Sequence, residues 1–350
     1  MEEFKRSLKL SSGDKVAIIS PSSGCANLFP WIYNLGIKRL EEEFNLTAIE
    51  FPTACQTPDY LAANPQARAI DINNAFADPQ IKAIIATTGG SDQIEILPYL
   101  DADVIQRNPK MFLGYSDNTN LHLYLFSLGI VSYYGCSVMS QLAMQGGIHA
   151  YTRKYIQRVL FEDTIGQLDD CPEWTDYDLD WSVEENLQKV RPMEKSPKRI
   201  WQNCHHKVIK GRLFGGCLET LKLHLSVNVY IPNLEVFTEI ILYVETSEEL
   251  PSADLVYSFF ATLGERHILK KIKALIVAIP KTQFIGQTAP EGRETYMINQ
   301  QIAINRALDI YNSELPVVFN LHFGHVDPQA IIPNGGFAII NGIEQKIFLE

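Results

Sequence analysis

The stretch Phe112-Leu113-Gly114-Tyr115-Ser116-Asp117-Asn118-Thr119 places a serine between a predicted buried strand and a predicted helix. Gly114 lies two positions before the serine, where a small residue avoids a clash in a sharp turn. A strand, a tight turn, a serine and a helix form a nucleophile elbow, which pushes the hydroxyl out of the backbone and leaves the next N–H at a helix N-terminus. Ser116 is therefore a candidate nucleophile. The alternative is that its side chain caps the helix that follows.

The residues around this stretch predict a parallel sheet with helices on both faces. Continuous apolar strands alternate with helical patterns, with strands predicted at 15–20, 46–51, 81–86, 110–113 and 130–134 and helices at 31–44, 67–76, 94–100 and 120–126. In such sheets, ligands bind beyond the C-terminal ends of the strands. Because Gly89 and Gly90 follow one predicted strand and Ser116 follows another, we expect the two loops to frame one crevice.

The chain divides into three parts by its composition. Residues 1–163 carry the alternating pattern, residues 164–205 are polar with several prolines and no clean period, and residues 206–350 return to strands and helices. The predicted fold class is α/β, with a mostly parallel N-terminal sheet flanked by helices and a smaller C-terminal α/β domain. The middle part holds three of the 4 tryptophans, including Trp181 and Trp201. These rings either form platforms for a flat ligand, or fix the loop to the body or line a dimer interface.

The composition favours a cytoplasmic globular protein. The chain has 350 residues, of which 46% are hydrophobic, and its net charge of −11 makes a nucleic-acid backbone an unfavourable partner. The 6 cysteines are scattered without a CxxC pair, which is typical of reduced thiols in the cytoplasm. The first residues lack the apolar segment of a signal peptide, and no apolar run approaches the length that spans a membrane.

Two further side chains complete a candidate catalytic set. Glu245 ends an apolar strand, where a carboxylate must be paired or hydrogen-bonded, and His325 closely follows another strand. A serine that attacks, a histidine that takes its proton and an acid that orients the imidazole form a triad, and some serine hydrolases use this order along the chain. Taken singly, Glu245 fits a structural ion pair better, and His325 a hydrogen-bonded loop residue. Other histidines could act as the base: His322, His205 and His206. Cys204 and its neighbouring histidines match no zinc-binding spacing, so we predict no metal site.

A series of motifs runs through the chain in a specific order: Gly13-Asp14-Lys15-Val16-Ala17-Ile18-Ile19-Ser20-Pro21-Ser22-Ser23, Thr88-Gly89-Gly90, Gly114-Tyr115-Ser116-Asp117, Gly215-Gly216-Cys217-Leu218-Glu219, Leu242-Tyr243-Val244-Glu245 and Phe323-Gly324-His325. Together these motifs resemble the LD-carboxypeptidase family of serine peptidases. The stretch with Glu173-Trp174-Thr175-Asp176 and Asp180-Trp181 is similar to the branch of that family that confers immunity to microcin C.

The resemblance implies which residues form the site. It implies a triad of Ser116, His325 and Glu245 assembled across two domains, with a barrel-like sheet in the C-terminal one. It implies an oxyanion hole from the backbone N–H groups of Gly90 and Asp117. It also implies a cytoplasmic homodimer that acts on a small molecule without a metal or another cofactor. The candidate substrate contacts are Gly89, Trp181, Trp201, Glu219 and Glu249.

The predicted function is that of a serine carboxypeptidase that hydrolyses an amide bond in a small peptide or an aminoacyl-nucleotide conjugate, as in microcin C detoxification. In the microcin-active branch a lysine lies four residues after the triad glutamate, and Glu249 occupies that position here, so the substrate stays open. One alternative is a muropeptide LD-carboxypeptidase of cell-wall recycling. The other alternative, of a different class, is a non-catalytic α/β protein that binds a ligand.

Overall fold

The computed structural model describes residues 4–350, in which strands alternate with helices. The strands are β1 (Lys15–Ile19), β2 (Thr47–Glu50), β3 (Ile81–Ala86), β4 (Met111–Gly114), β5 (Ser132–Tyr134), β6 (Gly166–Gln167), β7 (Glu173–Trp174), β8 (Glu194–Lys195), β9 (Ile200–Gln202), β10 (Val208–Cys217), β11 (Ile240–Glu245), β12 (Ala274–Ala278), β13 (Gln283–Phe284), β14 (Gln287–Thr288), β15 (Val317–Leu321), β16 (Ile332–Asn334), β17 (Phe337–Asn341) and β18 (Lys346–Leu349). The α-helices are α1 (Cys25–Leu28), α2 (Pro30–Phe44), α3 (Pro58–Ala63), α4 (Pro65–Ala77), α5 (Ala102–Arg107), α6 (Thr119–Ser127), α7 (Ala150–Phe161), α8 (Leu218–Val227), α9 (Ala253–Glu265) and α10 (Arg293–Tyr311). Within residues 4–350, none of the helices combines the length and the apolar character that a membrane crossing needs.

The first sheet is parallel and is covered by helices on both faces. Its strands lie in the order β16-β5-β4-β3-β1-β2, and every neighbouring pair is parallel except β5 with β16. Alternate side chains of β1 enter different cores: Val16 and Ile18 pack on the side of α2 and α7, whereas Ala17 and Ile19 pack on the side of α4 and α6. Burial on both faces explains why these strands are apolar without interruption. The predicted α/β fold is confirmed.

The second sheet is mixed and packs against the first. Its order is β6-β18-β17-β10-β11-β12-β15-β9, with parallel pairing from β10 through β15 and antiparallel pairing outside. Leu242 and Val244 of β11 face a core formed with α8, α9 and α10. Ile241 and Tyr243 face the other way and share one core with Val16 and Ile18 of the first sheet. This shared core brings the carboxyl ends of β4 and β11 close together.

The segment at 164–205 is ordered along the body of the protein. It supplies β6 and β9 as edge strands of the second sheet, while β7 and β8 pair with each other. Trp174 is buried, and the backbones of Thr175 and Asp327 exchange two hydrogen bonds of 2.7 and 2.9 Å. Farther along, the indole N–H of Trp31 donates to the carbonyl of Trp181 at 2.8 Å. These contacts hold the segment over the carboxyl end of the first sheet.

Candidate active site

Ser116 lies in a strained turn at the carboxyl end of β4. Its φ of 64° is in the left-handed region, which costs a non-glycine residue free energy and is concentrated at functional sites. The turn is tight, because a Cβ on Gly114 would lie only 2.9 Å from Cγ of Asn118. Residues 116–118 form a 3-10 turn, and the N-cap position of α6 belongs to Asn118. The backbone is therefore that of a nucleophile elbow, and Ser116 does not occupy the capping position.

The loop after β3 packs directly on the serine. A Cβ on Gly89 would lie 2.9 Å from Cβ of Ser116, and a Cβ on Gly90 would collide with the hydroxyl of Ser22. The carbonyl of Gly89 accepts a hydrogen bond from the backbone N–H of Ser23 at 3.1 Å, which fixes the loop against the end of β1. The structure thus brings Gly89, Gly90 and Ser116 to one crevice, where all three line the same cavity.

The buried side chain of Asp117 fixes the elbow through hydrogen bonds on the interior side. Its carboxylate accepts hydrogen bonds from the hydroxyl of Ser22, from the backbone N–H of Gln93 at 2.9 Å and from the amide of Asn120 at 2.7 Å. Burial raises the pKa of this carboxyl, although the Ser22 hydroxyl and the Gln93 N–H act in the opposite direction. Because the side chain is committed to the interior, only the backbone N–H of Asp117 remains as a candidate group for the crevice.

Glu245 and His325 form a close pair beside the serine. Nδ1 of His325 lies 2.6 Å from Oε2 of Glu245, and the backbone N–H of His325 donates to the same oxygen at 3.2 Å. Gly324 has a φ of 80°, and a Cβ there would lie 2.5 Å from the Glu245 carboxyl carbon, so the approach needs glycine. Burial alone would lower the pKa of His325, but Glu245 and Glu248 outweigh it and raise the pKa to about 9.

A buried tyrosine connects the acid to the elbow. The hydroxyl of Tyr134, at the end of β5, donates to Oε1 of Glu245 at 2.5 Å. The same hydroxyl accepts the backbone N–H of Ser116 at 3.1 Å. Burial, followed by the charge of Glu245, raises the pKa of Tyr134 well above its ordinary value, so the phenol keeps its proton. The acid and the elbow are thereby held at a fixed separation through one side chain.

The second imidazole nitrogen faces another carboxylate. Nε2 of His325 lies 3.2 Å from Oε2 of Glu248, whose side chain is 41% exposed. Ser116 and His325 line the same cavity, but in the part of the chain that the structure describes no hydrogen bond joins their side chains. The ring of Tyr115 stands edge-on to the imidazole, with 5.0 Å between the ring centres, and limits how far it can turn.

The cavity over the serine has a volume of about 340 Å³, enough for a small molecule. One wall is Trp181, whose ring packs edge-on against Phe29 with 5.9 Å between the ring centres. The remaining lining residues are polar, charged and apolar side chains from segments that follow strands of both sheets and from the 164–205 segment: Ser23, Cys25, Thr88, Ser140, Met144, Gln145, Asp178, Leu179, Asp180, Arg191, Glu248, Lys281, Phe284, Ile285 and Asp327.

Two buried ion pairs line the same cavity. Nζ of Lys281 lies 2.6 Å from Oδ2 of Asp178, and one guanidinium nitrogen of Arg191 lies 2.7 Å from Oδ2 of Asp327. Burial would raise the pKa of Asp327, but Arg191 keeps it lowered. Because each cation already has a carboxylate partner, these two ion pairs present little net charge to a ligand in the cavity.

Three predicted substrate contacts do not line the cavity. Trp201 lies in the edge strand β9, where residue 201 pairs with Val318. Glu219 lies in α8 and accepts hydrogen bonds from the backbone N–H and the hydroxyl of Ser247 at 3.1 and 2.8 Å. Glu249 is exposed to solvent. By contrast, Gly89, Gly90 and Trp181 all line the cavity.

Sequence reasoning missed Tyr134 and Glu248. Tyr134 lies at the carboxyl end of β5, which pairs with β4. The order of the strands therefore implies that Tyr134 lies close to Ser116. Glu248 lies three residues after Glu245, in the loop that leaves the carboxyl end of β11. The resemblance points to this loop through Glu249, whereas the structure puts the side chain of the preceding residue, Glu248, at the imidazole.

Comparisons with known proteins show the family of the chain. Models of two domains of one family match the chain: the LD-carboxypeptidase N-terminal domain over residues 16–135 and the C-terminal domain over residues 210–340. The putative carboxypeptidase YocD of Bacillus subtilis is 28% identical over 96% of this chain and 95% of its own length. A probable murein peptide carboxypeptidase of the same species is 28% identical over 97% and 93%. The microcin C7 self-immunity protein MccF of Escherichia coli is 24% identical over 93% and 90%.

Solved structures of similar proteins have the same fold. An MccF-like protein from Streptococcus pneumoniae in complex with AMP superposes with a TM-score of 0.85 and 29% identity, covering 97% of this chain and 99% of that one. MccF in complex with glutamyl sulfamoyl guanosine has a TM-score of 0.82 over 98% and 97% of the two chains, and at 21% identity this likeness shows the fold alone. The two domain matches take in most of the chain, and the protein belongs to the LD-carboxypeptidase family.

Proposed function

We propose that the protein is a serine peptidase that hydrolyses an amide bond in a small aminoacyl-nucleotide conjugate, with Ser116, His325 and Glu245 as its triad. The observation that carries this proposal is the set of contacts at the cavity. The serine has the backbone of an elbow, the imidazole is hydrogen-bonded to a buried acid at 2.6 Å, and both open on one cavity. Membership of the LD-carboxypeptidase family supports the same reaction class.

The chemistry follows from the positions of these groups. Nε2 of His325 takes the proton of the Ser116 hydroxyl as its oxygen attacks the carbonyl carbon of the substrate. Because the pKa of His325 is raised to about 9, the Nε2 proton must pass to solvent before the ring can act as a base. Glu245 keeps the hydrogen bond from Nδ1, so Nε2 is the basic nitrogen, and the carboxylate stabilises the imidazolium when it forms. The imidazolium then protonates the leaving nitrogen, and an ester remains on the serine. Water attacks this ester with the same histidine as base, which releases the acid and restores the hydroxyl.

The oxyanion hole in this proposal consists of the backbone N–H groups of Gly90 and Asp117. Two observations support it: the glycine loop lies against the serine, and the buried carboxylate of Asp117 fixes the backbone that follows the nucleophile. Donors held in place before the reaction stabilise the charge that develops on the carbonyl oxygen. Their loss from an acyl-transfer site typically costs a factor of about 10² to 10³ in kcat.

The substrate class is supported by the cavity and by relatives. The S. pneumoniae protein binds AMP, and MccF binds glutamyl sulfamoyl guanosine. In this chain Trp181 forms one wall of a cavity of about 340 Å³, where an indole could stack on a nucleotide base. We place the base on Trp181 and the acyl group between Ser116 and His325.

The second candidate is cleavage of a muropeptide. The observation that favours it is the probable murein peptide carboxypeptidase, which is 28% identical to this chain over 97% of its length. A hydrolysis screen that compares aminoacyl sulfamoyl adenosines with tetrapeptide muropeptides separates the two substrates. If the protein hydrolyses only the muropeptide, the aminoacyl-nucleotide conjugate is not its substrate, and the muropeptide takes its place in the proposal.

The first prediction is that Ser116→Ala abolishes turnover without unfolding the protein. Loss of a triad nucleophile typically lowers kcat by several powers of ten. The substitution removes only the hydroxyl group, so we expect the packing of the core to be unchanged. Hydrolysis is followed by chromatography, and folding by the melting temperature. If the alanine variant keeps more than about a tenth of the wild-type kcat, Ser116 is not the nucleophile. In that case a non-catalytic binding protein becomes the better description.

The organisation of the chain completes the proposal. We assign residues 1–163 and 206–350 to two α/β domains joined by the 164–205 segment, and we place the protein in the cytoplasm, in keeping with its 6 free thiols. We also propose a homodimer, supported by an exposed aliphatic stripe on α10 formed by Ile298, Ile302 and Ile310. Light scattering on the purified protein measures the mass, and a monomer at micromolar concentration would exclude the dimer.

A further inference from the structure

The hairpin formed by β13 and β14 carries two apolar side chains at its tip. Its strands pair so that residues 285 and 286 form a two-residue turn. Phe284 is 38% exposed and Ile285 is 46% exposed, although the tip of a hairpin is usually polar. Both side chains line the cavity that contains Ser116. The tip therefore offers apolar surface to a ligand in that cavity.

The turn contains a residue that its geometry disfavours. Both central residues have a positive φ, 33° at Ile285 and 78° at Gly286, which is the mark of a type I′ turn. Glycine suits the second position, and asparagine is a preferred residue at the first. A β-branched side chain at a positive φ is an outlier that costs free energy, and such strain is concentrated at functional sites. The stability of the turn therefore does not account for the isoleucine.

A buried carboxylate fixes the hairpin to the 164–205 segment. Asp176, which is 1% exposed, accepts hydrogen bonds from the backbone N–H and the hydroxyl of Thr282 at 2.7 and 2.6 Å. A second connection is the ion pair of Lys281 and Asp178, whose charged atoms lie 2.6 Å apart. The hairpin is thus joined at two points to the segment that carries Trp181. Their relative positions are fixed before a ligand binds.

The conjugate of the proposed function has one group that suits this apolar surface. Its nucleobase is flat and has two apolar faces, whereas the sugar, the sulfamoyl group and the aspartyl residue are polar. Stacking on Trp181 covers one face of the base and leaves the rest of it to other contacts. We propose that Phe284 and Ile285 contact the nucleobase from a second side of the cavity. This inference rests on the proposed function and assigns a further specificity element to the same site.

The contact acts on the leaving half of the substrate. In aspartyl sulfamoyl adenosine the scissile bond joins the aspartyl carbonyl to the sulfamoyl nitrogen. The adenosine therefore takes the place that the C-terminal residue has in the substrate of a carboxypeptidase. A base at the tip removes apolar surface of both partners from water, and a leaving group without a base does not. The hairpin thereby favours a leaving group that carries a base.

The experiment separates the turn from the cavity. Ile285→Asn puts a favoured residue into the type I′ turn, and Phe284→Thr keeps a strand-forming residue while it removes the ring. We expect Ile285→Asn to raise the melting temperature by about 2 °C or more, because strain is relieved. We expect each substitution to raise Kd for AMP, measured by calorimetry, by about fivefold or more, because apolar contact with the base is lost.

Gln345→Asn is the matched control. Gln345 has a φ of 53° in an exposed turn between β17 and β18, and it is not among the described residues that line the cavity. Asparagine tolerates a positive φ better than glutamine does, so strain is relieved at this turn as well. Because the change is far from the base, Kd for AMP should stay within about twofold of the wild-type value.

Kinetics on aspartyl sulfamoyl adenosine and on an aspartyl amide without a base give a second measurement. A rise in KM on the first compound only supports the proposal. Equal rises on both compounds overturn it, as does a Kd for AMP within about twofold of wild type in both tip variants. A lower melting temperature of Ile285→Asn would mean that isoleucine stabilises the hairpin, and it overturns the proposal as well.

The same measurements distinguish this proposal from the proposed function. If the wild type hydrolyses neither compound but loses affinity for AMP in both tip variants, the peptidase function fails and the contact with the base stands. If the wild type does not bind AMP, the contact with the base fails, whichever compound is hydrolysed.

Discussion

Tyr134 is the residue that sets the distance between the acid and the elbow. Its hydroxyl both donates to Glu245 and accepts from the backbone of Ser116, so it is fully used within the site. A phenol suits this place because it is buried, uncharged and rigid, with only two side-chain torsions to restrain. Among the residues that the structure describes, it is not one of those that line the cavity, and we therefore regard it as a positioning residue for the triad.

We expect Tyr134→Phe to lower kcat by roughly tenfold or more while KM changes little, because Glu245 loses a charge-assisted hydrogen bond that fixes its orientation. Tyr243→Phe is the matched control. Tyr243 is equally buried, and its ring centre lies 5.5 Å from that of Tyr134, but its hydroxyl donates to Asn334. Steady-state kinetics and melting temperatures are compared for both variants. Equal losses of kcat in the two variants would mean that Tyr134 supports only the packing.

The candidate triad was predictable at the residue scale, but its supporting residues were not. Ser116, Glu245 and His325 each lie at or just beyond the carboxyl end of an apolar strand, a position that a single sequence reveals. Tyr134 reads as one more apolar residue of a strand, because nothing local shows that its hydroxyl meets an acid that lies 111 positions farther along the chain. Glu248 is one of two adjacent glutamates, and only the loop conformation decides which of them enters the cavity.

At the scale of elements, the long buried strands and helices were predictable from their apolar pattern. The predicted strand at 81–86 is β3, and the predicted helix at 31–44 differs from α2 only at its first residue. The predicted helix at 94–100 is instead a 3-10 helix, Gln93–Tyr99, with Pro98 inside it. The strands of the 164–205 segment are two or three residues long. Such strands form because a partner edge is present, so their own residues carry no period to detect.

The 164–205 segment should determine nucleotide binding through Trp181. We expect Trp181→Ala to raise KM for aspartyl sulfamoyl adenosine by about tenfold, since stacking of a base on an aromatic ring contributes roughly 1–3 kcal/mol. Trp201→Ala is the matched control, because that ring lies in β9 and does not line the cavity. The two variants are compared on this compound and on an aminoacyl amide without a base. A rise in KM of the same size on the compound without a base would show that Trp181 maintains the loop and does not bind the base.

At the scale of the whole molecule, the two sheets meet beneath the elbow. Thr119, the first residue of α6, is fully buried there, and its hydroxyl donates to the carbonyl of Ser116 at 2.7 Å. The Thr119 hydroxyl oxygen also accepts a hydrogen bond from the backbone N–H of Cys217, at the end of β10, at 3.0 Å. Gly216 permits this approach, because a Cβ on it would lie 2.6 Å from the Thr119 side chain. One hydroxyl therefore joins the carboxyl end of the second sheet to the backbone of the nucleophile.

This joint predicts that Thr119→Val disturbs catalysis from outside the cavity. Valine keeps the shape of the side chain but leaves the buried N–H of Cys217 without a partner, which should lower the free energy of unfolding by about 1–3 kcal/mol. Because the lost contact also fixes the carbonyl of Ser116, we expect kcat to fall by roughly tenfold with little change in KM. Thr119→Ser keeps the hydroxyl and loses only a methyl group, so it should be destabilised by about 1 kcal/mol and retain most of its kcat. Denaturant unfolding and steady-state kinetics on the two variants separate the hydroxyl from the packing. If Thr119→Ser loses kcat while Thr119→Val keeps it, the contact between the sheets acts on the site through volume, and the hydrogen bond to Cys217 has no part in it.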